Sequence, residues 1–336
     1  MRRAISAQWF SLGMHLVSML FGLFGLVFVL PNSSFIESLS EVGLQVFSWG
    51  MQNGGASYMI FGAIAAFLYG KKTIGFKRTL AFCIPAIGIS VSSELLGTST
   101  GFPFGAYSYL SGLGYKIAGL VPFTIPLSWF YMGFSAFLIA ATIMRFGTGW
   151  GYRIAVIALG ALMLTSWDFV LDPAMSQTPY PFWEWHQAGE FYGMPYQNFF
   201  GWFGTGALFM TVTSLIWGKH DQAVLNRQQI LIPTIIYAGN FAFALILSFN
   251  AGFYVPALLG IVVGAFPLAV LYFTPQRRRV RLVVSVCDNG VASVLRFADT
   301  PDDIVTDAGS ARGSLADAVN NLWRDPKVVV SRETIE

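Results

Sequence analysis

Charged residues are scarce in this chain. Only 11% of its 336 residues are Asp, Glu, Lys or Arg, whereas 55% are hydrophobic. A soluble domain carries about 25% charged residues. The composition therefore excludes an ordinary soluble globular protein and predicts a polytopic membrane protein. The net charge of +3 comes from basic residues spread along the loops and not from one basic patch, so it gives no indication of nucleic-acid binding.

Cysteine and histidine are almost absent. Cys83 and Cys287 are too far apart in the chain to predict a disulfide framework or a metal site. The three histidines show no metal-ligand spacing, and we expect His15 to be a hydrogen-bonded interior histidine. The glycines form neither a phosphate-binding loop nor a dinucleotide fingerprint. The sequence therefore predicts no metal and no nucleotide-driven chemistry.

Long apolar runs, by contrast, are abundant. They recur near residues 8–30, 47–69, 79–97, 117–143, 151–171, 198–217, 230–248 and 251–272. Each is long enough to cross a hydrocarbon core of roughly 30 Å. We predict an all-α bundle of about eight transmembrane helices. The first run is long enough to span and has no clear cleavage site, so we interpret it as a retained helix and not as a signal peptide.

Basic residues alternate between successive loops. Every second loop or terminus carries them: Arg2, Arg3, Lys71, Lys72, Lys77, Arg78, Arg145, Arg153, Lys219, Arg227, Arg277, Arg278, Arg279 and Arg281. The intervening loops carry almost none. This alternation follows the positive-inside rule and predicts a multi-pass integral membrane protein with both termini in the cytosol.

The character of the sequence changes after Pro275. Apolar and polar residues alternate over 280–287 and 291–297 around Asp288-Asn289-Gly290, a pattern that predicts a β-hairpin. A short helix near 311–323 and a strand near 327–331 are expected to follow. We therefore divide the chain into a transmembrane domain, 1–275, and a small α+β cytosolic appendage, 276–336.

Two carboxylates lie inside predicted membrane helices. An ionisable group in hydrocarbon is costly, so Glu94 and Asp168 are expected to face the protein interior and to mark a site of chemistry or transport. Asp172 follows one turn after Asp168, although an Asp-Pro pair also commonly shapes a loop. The predicted topology places these acids at one membrane level with further polar residues: Gln52, Asn53 and Asn198. We expect one shared site toward the non-cytosolic leaflet.

Aromatic residues accompany these acids. Such a lining suits a long apolar or polyene ligand, and it could stabilise a carbocation by about 2 kcal/mol when water is excluded. The connection 174–197 is also rich in Trp and Tyr, which favour the membrane interface, so we expect it on the bilayer surface or in the cavity mouth. The candidate substrate-binding residues are Phe102, Phe104, Tyr107, Trp167, Tyr196, Asn198 and Trp202.

Three groups of motifs resemble a known family. They are Glu94-Leu95-Leu96-Gly97 with Thr100-Gly101-Phe102-Pro103-Phe104-Gly105-Ala106-Tyr107, Trp167-Asp168 with Leu171-Asp172-Pro173, and Tyr192-Gly193-Met194-Pro195 with Asn198-Phe199 and Gly201-Trp202. Over roughly residues 10–272 the chain resembles the carotenoid biosynthesis membrane proteins. That family includes carotenoid 1,2-hydratases of the γ-carotene 1′-hydratase and bisanhydrobacterioruberin hydratase types.

The resemblance implies addition of water to the terminal double bond of an acyclic carotenoid ψ-end, which gives a tertiary alcohol. The expected partners are a carotenoid substrate, the lipid bilayer and a downstream carotenoid glycosyltransferase. No cofactor is expected. Such a reaction needs a carboxylic acid that stays protonated near neutral pH, and burial favours that form. We assign the proton donor to Glu94 or Asp168 and expect the other, with Asp172, to orient water and accept its proton. Asn198 and Tyr107 are candidates for positioning that water.

Three alternatives remain at this stage. A proton-initiated isoprenoid cyclase would use the same acid and the same cation, and would differ only in how the cation is captured. A proton-coupled transporter would use the acids as a relay, although the polar groups collect at one leaflet and no internal repeat is evident. A non-catalytic lipid-binding scaffold would not need the acids for any reaction.

Overall fold

The computed structural model describes residues 6–144, 149–218, 225–273, 278–287, 290–297 and 328–335, the last three ranges as backbone only. The chain divides into two compact units, Met1–Leu271 and Tyr272–Glu336. Up to residue 273 the elements are, in chain order, α1 (Ala7–Phe24, continued by a π-helical segment, Gly25–Val29), α2 (Ser33–Glu37), α3 (Glu41–Thr73), α4 (Phe76–Thr100), β1 (Tyr107–Tyr109), β2 (Lys116–Ile117), β3 (Val121–Pro122), α5 (Thr124–Ile143), α6 (Gly149–Ser176), β4 (Trp183–Trp185), α7 (Tyr196–Trp217), α8 (Leu231–Asn250), α9 (Tyr254–Gly260, continued by a π-helical segment, Ile261–Ala265) and α10 (Phe266–Phe273).

The helices confirm an integral membrane bundle. Within the described ranges, seven are long and apolar enough to cross a membrane: Ala7–Val29, Phe76–Thr100, Thr124–Ile143, Gly149–Ser176, Tyr196–Trp217, Leu231–Asn250 and Tyr254–Phe273. They correspond to seven of the eight predicted runs. The remaining run lies in α3, which at 33 residues is long enough to span but is not among these seven.

Two predicted boundaries are wrong. α3 begins at Glu41 and not near residue 47, because the Ser40 side chain accepts a hydrogen bond from the backbone of Gly43 and caps the helix. Gln52 and Asn53 therefore lie inside α3. α5 begins at Thr124 and not near residue 117, because the preceding residues form the antiparallel β2–β3 pair.

α5 is the centre of the bundle. It packs against α3, α4, α6, α7 and α8, and 18 of its residues are buried. Its sequence is apolar on all sides and carries no charge, which is the pattern of a helix surrounded by protein. The helices that carry the predicted acids, α4 and α6, both pack on it, so their inner faces are held next to each other.

Short strands close one end of this bundle. β1 pairs antiparallel with β4, with Tyr107 opposite Trp185 and Tyr109 opposite Trp183. The segment after α4 is thereby joined to the aromatic connection after α6. That connection was expected on the bilayer surface or in the cavity mouth, and its residues Trp183 and Trp185 line the cavity described below.

The second unit contains the predicted hairpin. β5 (Arg278–Cys287) pairs antiparallel with β6 (Gly290–Phe297), with Cys287 opposite Gly290, and β7 (Val328–Ile335) pairs parallel with β5. The hairpin and the last strand are thus confirmed. The helix predicted near 311–323 lies outside the described residues.

Close packing around α5 can be tested at Gly133. A Cβ atom there would lie 2.6 Å from the Phe209 ring, whereas one at Gly204 in α7 would meet nothing within 4 Å. We expect Gly133→Val to destabilise the protein by about 1–3 kcal/mol through overpacking. Thermal unfolding in detergent should therefore show a lower midpoint for Gly133→Val than for Gly204→Val, and equal midpoints would contradict this packing.

Candidate functional site

Acidic side chains from two helices meet at one cavity. Glu94 from α4 and Asp168 and Asp172 from α6 are each at most 3% exposed, and all three line a cavity of about 390 Å³. Asp168 and Asp172 are four residues apart, so they lie one above the other on the same face of α6. The structure thus brings the predicted acids together.

Glu94 is surrounded by hydrogen-bond donors. The Tyr107 hydroxyl and the Tyr109 hydroxyl both donate to its Oε2 atom, the latter at 2.9 Å. Trp129 Nε1 donates to Oε1 at 2.9 Å. A carboxylate with three donors is well solvated by the protein, because an ionised carboxylate is purely an acceptor.

The two phenols stay protonated. Burial raises the pKa of Tyr107 well above its ordinary value, and the neighbouring Glu94 carboxylate raises it further. Burial and Glu94 likewise raise the pKa of Tyr109. Both side chains therefore act as hydrogen-bond donors toward Glu94 throughout the physiological pH range.

Asp172 also has several donors. Trp183 Nε1 donates to Oδ2 at 3.1 Å, and Trp185 Nε1 donates to Oδ1 at 2.9 Å. The Ser176 hydroxyl is shared between Oδ1, at 2.9 Å, and the Asp172 backbone carbonyl oxygen, at 2.8 Å. The two indoles come from β4, whose pairing with β1 places them over the end of α6.

Asp168 differs from its two neighbours. In the part of the chain that the structure describes, it accepts one side-chain hydrogen bond, from Asn198 Nδ2 to Oδ2 at 2.7 Å. Asn198 lies near the start of α7 and also contacts the Met194 sulfur at 2.8 Å. Asn198 and Tyr107 are the residues expected to position water, and each donates a hydrogen bond to one of the acids.

Aromatic rings form the wall next to the acids. Trp129 stacks on Trp202, with ring centroids 4.0 Å apart and an interplanar angle of 18°, and Trp167 meets Trp202 edge-on at 5.9 Å. Trp167, Trp202, Phe104 and Tyr107 all line the cavity. Five of the seven predicted substrate-binding residues are thus found there, these four and Asn198.

The other two, Phe102 and Tyr196, lie outside the cavity. Phe102 is 65% exposed and Tyr196 is 52% exposed. At 100° per residue, Tyr196 points about 200° away from Asn198 on the same helix, so both cannot face the cavity. Phe102 was predicted to bind substrate because of its neighbours in sequence. Of the two phenylalanines in this motif, Phe104 is the one that lines the cavity.

Five hydrogen-bond donors were not predicted: Tyr109, Trp129, Ser176, Trp183 and Trp185. Tyr107-Ser108-Tyr109 and Trp183-Glu184-Trp185 both alternate aromatic and polar residues, which is a strand signal. Three residues are too few to specify a partner, however. The donors on β1 and β4 follow from the pairing of these two strands.

His15 is a hydrogen-bonded interior residue, as predicted. Its Nδ1 lies 2.7 Å from the Tyr58 carbonyl oxygen, and its Nε2 lies 3.0 Å from Asn240 Nδ2. Among the residues that the structure describes, no group of His, Cys, Asp and Glu side chains has the arrangement of a metal site.

These features define a class: an integral membrane helix bundle with buried acids at an aromatic-walled cavity. A family model, described as "Carotenoid biosynthesis protein", matches residues 54–267, and the chain belongs to that family. Glu94, Asp168, Asp172 and Asn198 all lie within the matched range. The protein therefore has a role in carotenoid biosynthesis.

One relative is similar over part of its length. Over 145 residues the chain is 32% identical to the bisanhydrobacterioruberin hydratase of Haloarcula japonica, and this covers 41% of the present chain and 45% of that protein. The match thus spans less than half of the relative. No solved structure shows a significant match.

The Glu94 donor set can be tested with an isosteric change. Tyr109→Phe removes only the hydroxyl that donates to Glu94, and a hydrogen bond to a charged group contributes about 1.5–3 kcal/mol. We expect that loss in the free energy of unfolding of the detergent-solubilised protein. The matched control is Tyr115→Phe, since Tyr115 is 78% exposed. In a Glu94→Gln background the effect of Tyr109→Phe should shrink; an unchanged effect would contradict the contact.

Proposed function

We propose that this protein adds water across the terminal double bond of an acyclic carotenoid ψ-end and so forms a tertiary alcohol. Membership of the carotenoid biosynthesis family supports the substrate class. A relative that bears the name of a hydratase supports the reaction type. The observation that carries the proposal is the unequal distribution of hydrogen-bond donors among three acids at one cavity.

From this distribution we infer that Asp168 carries the proton. Glu94 and Asp172 each accept hydrogen bonds from three donor side chains, which favours their ionised forms. Asp168 shares the cavity with both and has the one side-chain donor described above. When like charges crowd together, the group with the fewest donors keeps its proton most readily. Asp168 is therefore the carboxylic acid of the site.

The reaction begins with transfer of that proton. Asp168 protonates the CH carbon of the terminal (CH₃)₂C=CH group, the π bond breaks, and a tertiary cation forms on the carbon that bears the two methyl groups. Water then forms a C–O bond to this carbon and releases a proton. The net change is the addition of one water with no oxidation or reduction, so the reaction requires no electron carrier.

Aromatic rings and a carboxylate stabilise the cation. Trp167, Trp202 and Tyr107 border the cavity beside the acids. A cation over such a ring gains about 2 kcal/mol when water is excluded. The Glu94 carboxylate adds a negative charge held in place by its donors, which is the preorganised electrostatic environment that favours a charged transition state.

Asp172 completes the cycle. It lies one helical turn from Asp168, so it can accept the proton of the attacking water and return it to Asp168 through one bridging water. Its partner Ser176 accepts a hydrogen bond from the exposed Gln177 at 3.1 Å. This chain of polar groups leads from the acid toward the surface and provides a route for water.

The assignment predicts unequal effects of removing each acid. We expect Asp168→Asn to lower product formation about 10²–10⁴-fold, which is the usual contribution of a general acid. Glu94→Gln and Asp172→Asn should also lower it, and Glu190→Gln, at an exposed position, should not. The measurement is pigment analysis by mass spectrometry in a host that produces lycopene or γ-carotene.

The same assay identifies the reaction. A hydratase gives a product heavier than its substrate by one water, and growth in ¹⁸O-labelled water places the label in the alcohol. A cyclase would give a product of unchanged mass. Full product formation by both Asp168→Asn and Glu94→Gln would instead identify the acids as structural and refute the proposal.

We further propose that both termini lie in the cytosol, because the basic loops alternate as the positive-inside rule requires. Reporter fusions that are active in only one compartment, attached at each terminus, should both give the cytosolic signal. A periplasmic signal from either terminus would contradict this orientation.

A tertiary hydroxyl on a carotenoid end is a group to which a sugar can be attached. We propose a carotenoid glycosyltransferase as the enzyme that acts on the product.

A further inference from the structure

The cavity extends well beyond the acids. It continues between the end of α1 with its π-helical segment on one side and the first half of α3 on the other, with α2 at its rim. We call this part the apolar arm; its lining residues come from 19–39 and 43–59. Apart from the Tyr58 hydroxyl, the lining side chains of the arm carry no hydrogen-bonding group. A ligand segment held there is therefore plain hydrocarbon.

The apolar arm is open on its outer side. Several of its lining residues are also 38–56% exposed, although they border a cavity: Phe21, Phe24, Phe35, Val46 and Met51. Phe21 and Phe24 belong to the first helix that is long and apolar enough to cross a membrane, so their exposed parts would lie against bilayer hydrocarbon. An opening on this side would be lateral, and a molecule dissolved in the membrane would reach the acids without passing through water.

The apolar arm is wide where glycines line it, because glycine has no side chain to fill the space. Gly22 in α1 and Gly54 in α3 both line the cavity, and a Cβ atom at either position would meet nothing within 4 Å. A side chain at either position would therefore begin in open space beside the cavity and not against protein. The width of the arm thus depends on the absence of side chains at these positions.

We propose that the apolar arm admits one end of a linear polyene hydrocarbon laterally from the bilayer and holds the polyene while its far end stays in lipid. This inference rests on the proposed function and extends it. The acids contact only the inserted end, so the protein selects for the structure of that end and is indifferent to the other. A symmetric substrate is then processed at its two ends in two separate binding events.

Narrowing the apolar arm tests its role in binding. We expect Gly54→Leu to lower the amount of lycopene that co-purifies with the protein, and the rate of hydration, about tenfold or more, because the leucine occupies the path of the chain. The matched control is Gly88→Leu in α4, an exposed helix position that also has nothing within 4 Å and does not line the cavity. Gly22→Leu narrows the opposite wall and serves if Gly54→Leu does not fold.

A short isoprenoid substrate distinguishes an effect of the substitution on the apolar arm from an effect on the acids. A two-unit isoprenoid with the same terminal group is too short to fill the arm, so Gly54→Leu should hydrate it at close to the wild-type rate. Equal loss on the short and the long substrate would show that the substitution damages the acid site and would overturn the proposal. Wild-type handling of lycopene by both glycine variants would overturn it as well.

The indifference to the far end is tested with two carotenoids. Lycopene has two acyclic ends, whereas γ-carotene has one acyclic and one cyclised end. We expect their initial rates, counted per acyclic end, to agree within about twofold, since the arm holds the chain alone. A strong preference for either would show that the far end is bound.

Failure of the inference can be told apart from failure of the proposed function. If the wild type forms hydrated product and the glycine variants bind lycopene normally, the arm is wrong and the function stands. If the wild type binds lycopene but forms no hydrated product, and Gly54→Leu no longer binds lycopene, the proposed function is wrong and the proposed role of the apolar arm stands. Co-purification of bilayer phospholipid in place of lycopene would identify the arm as a lipid site and overturn the proposal.

Discussion

Three acids can share one cavity in an apolar bundle only if the protein supplies what water would have supplied. Here the protein supplies O–H and N–H groups that donate hydrogen bonds to two of the three acids. Tyr107, Tyr109 and Trp129 serve Glu94, and Trp183, Trp185 and Ser176 serve Asp172. Fixed donors of this kind favour the charged state at one position and leave the neutral state to another. The difference between Asp168 and its neighbours follows from this arrangement.

Most donors come from aromatic side chains, which explains why the site is so rich in rings. Tyr and Trp combine an apolar body, which packs well in a membrane bundle, with one polar group that requires a partner. The same residues can therefore line a cavity for a hydrocarbon and hold a carboxylate at its edge. A serine or lysine in their place would supply a donor but would lose the apolar wall.

Much of the fold could be predicted from the sequence. The apolar runs predicted the helices, because in a bilayer every backbone polar group must be satisfied within the segment. Glu94 and Asp168 stood out for the same reason, as charges where charge is costly. The boundaries of α3 and α5 were wrong, because a Ser40 cap and a short hairpin are local features that hydropathy does not report.

The details of the site could be predicted less well, and the reason is distance along the chain. Trp129 and Glu94 are 35 residues apart, and Asp172 meets Trp185 through a turn and a three-residue strand. Contacts of this kind depend on how helices pack and on which short strands pair. Phe102 and Tyr196 were wrongly predicted to line the cavity. Each lies close in sequence to a residue that does line it, but its own side chain is exposed.

The β1–β4 pair has a consequence for how the protein can diversify. Its aromatic residues line the cavity and also donate hydrogen bonds to two acids, so a substitution that reshapes this wall changes the surroundings of those acids at the same time. The hydrogen bonds described for the three acids involve no side chain from α1 or from the first half of α3. We therefore expect substitutions that alter ligand preference to occur in α1 and the first half of α3, while the residues of β1 and β4 stay constant.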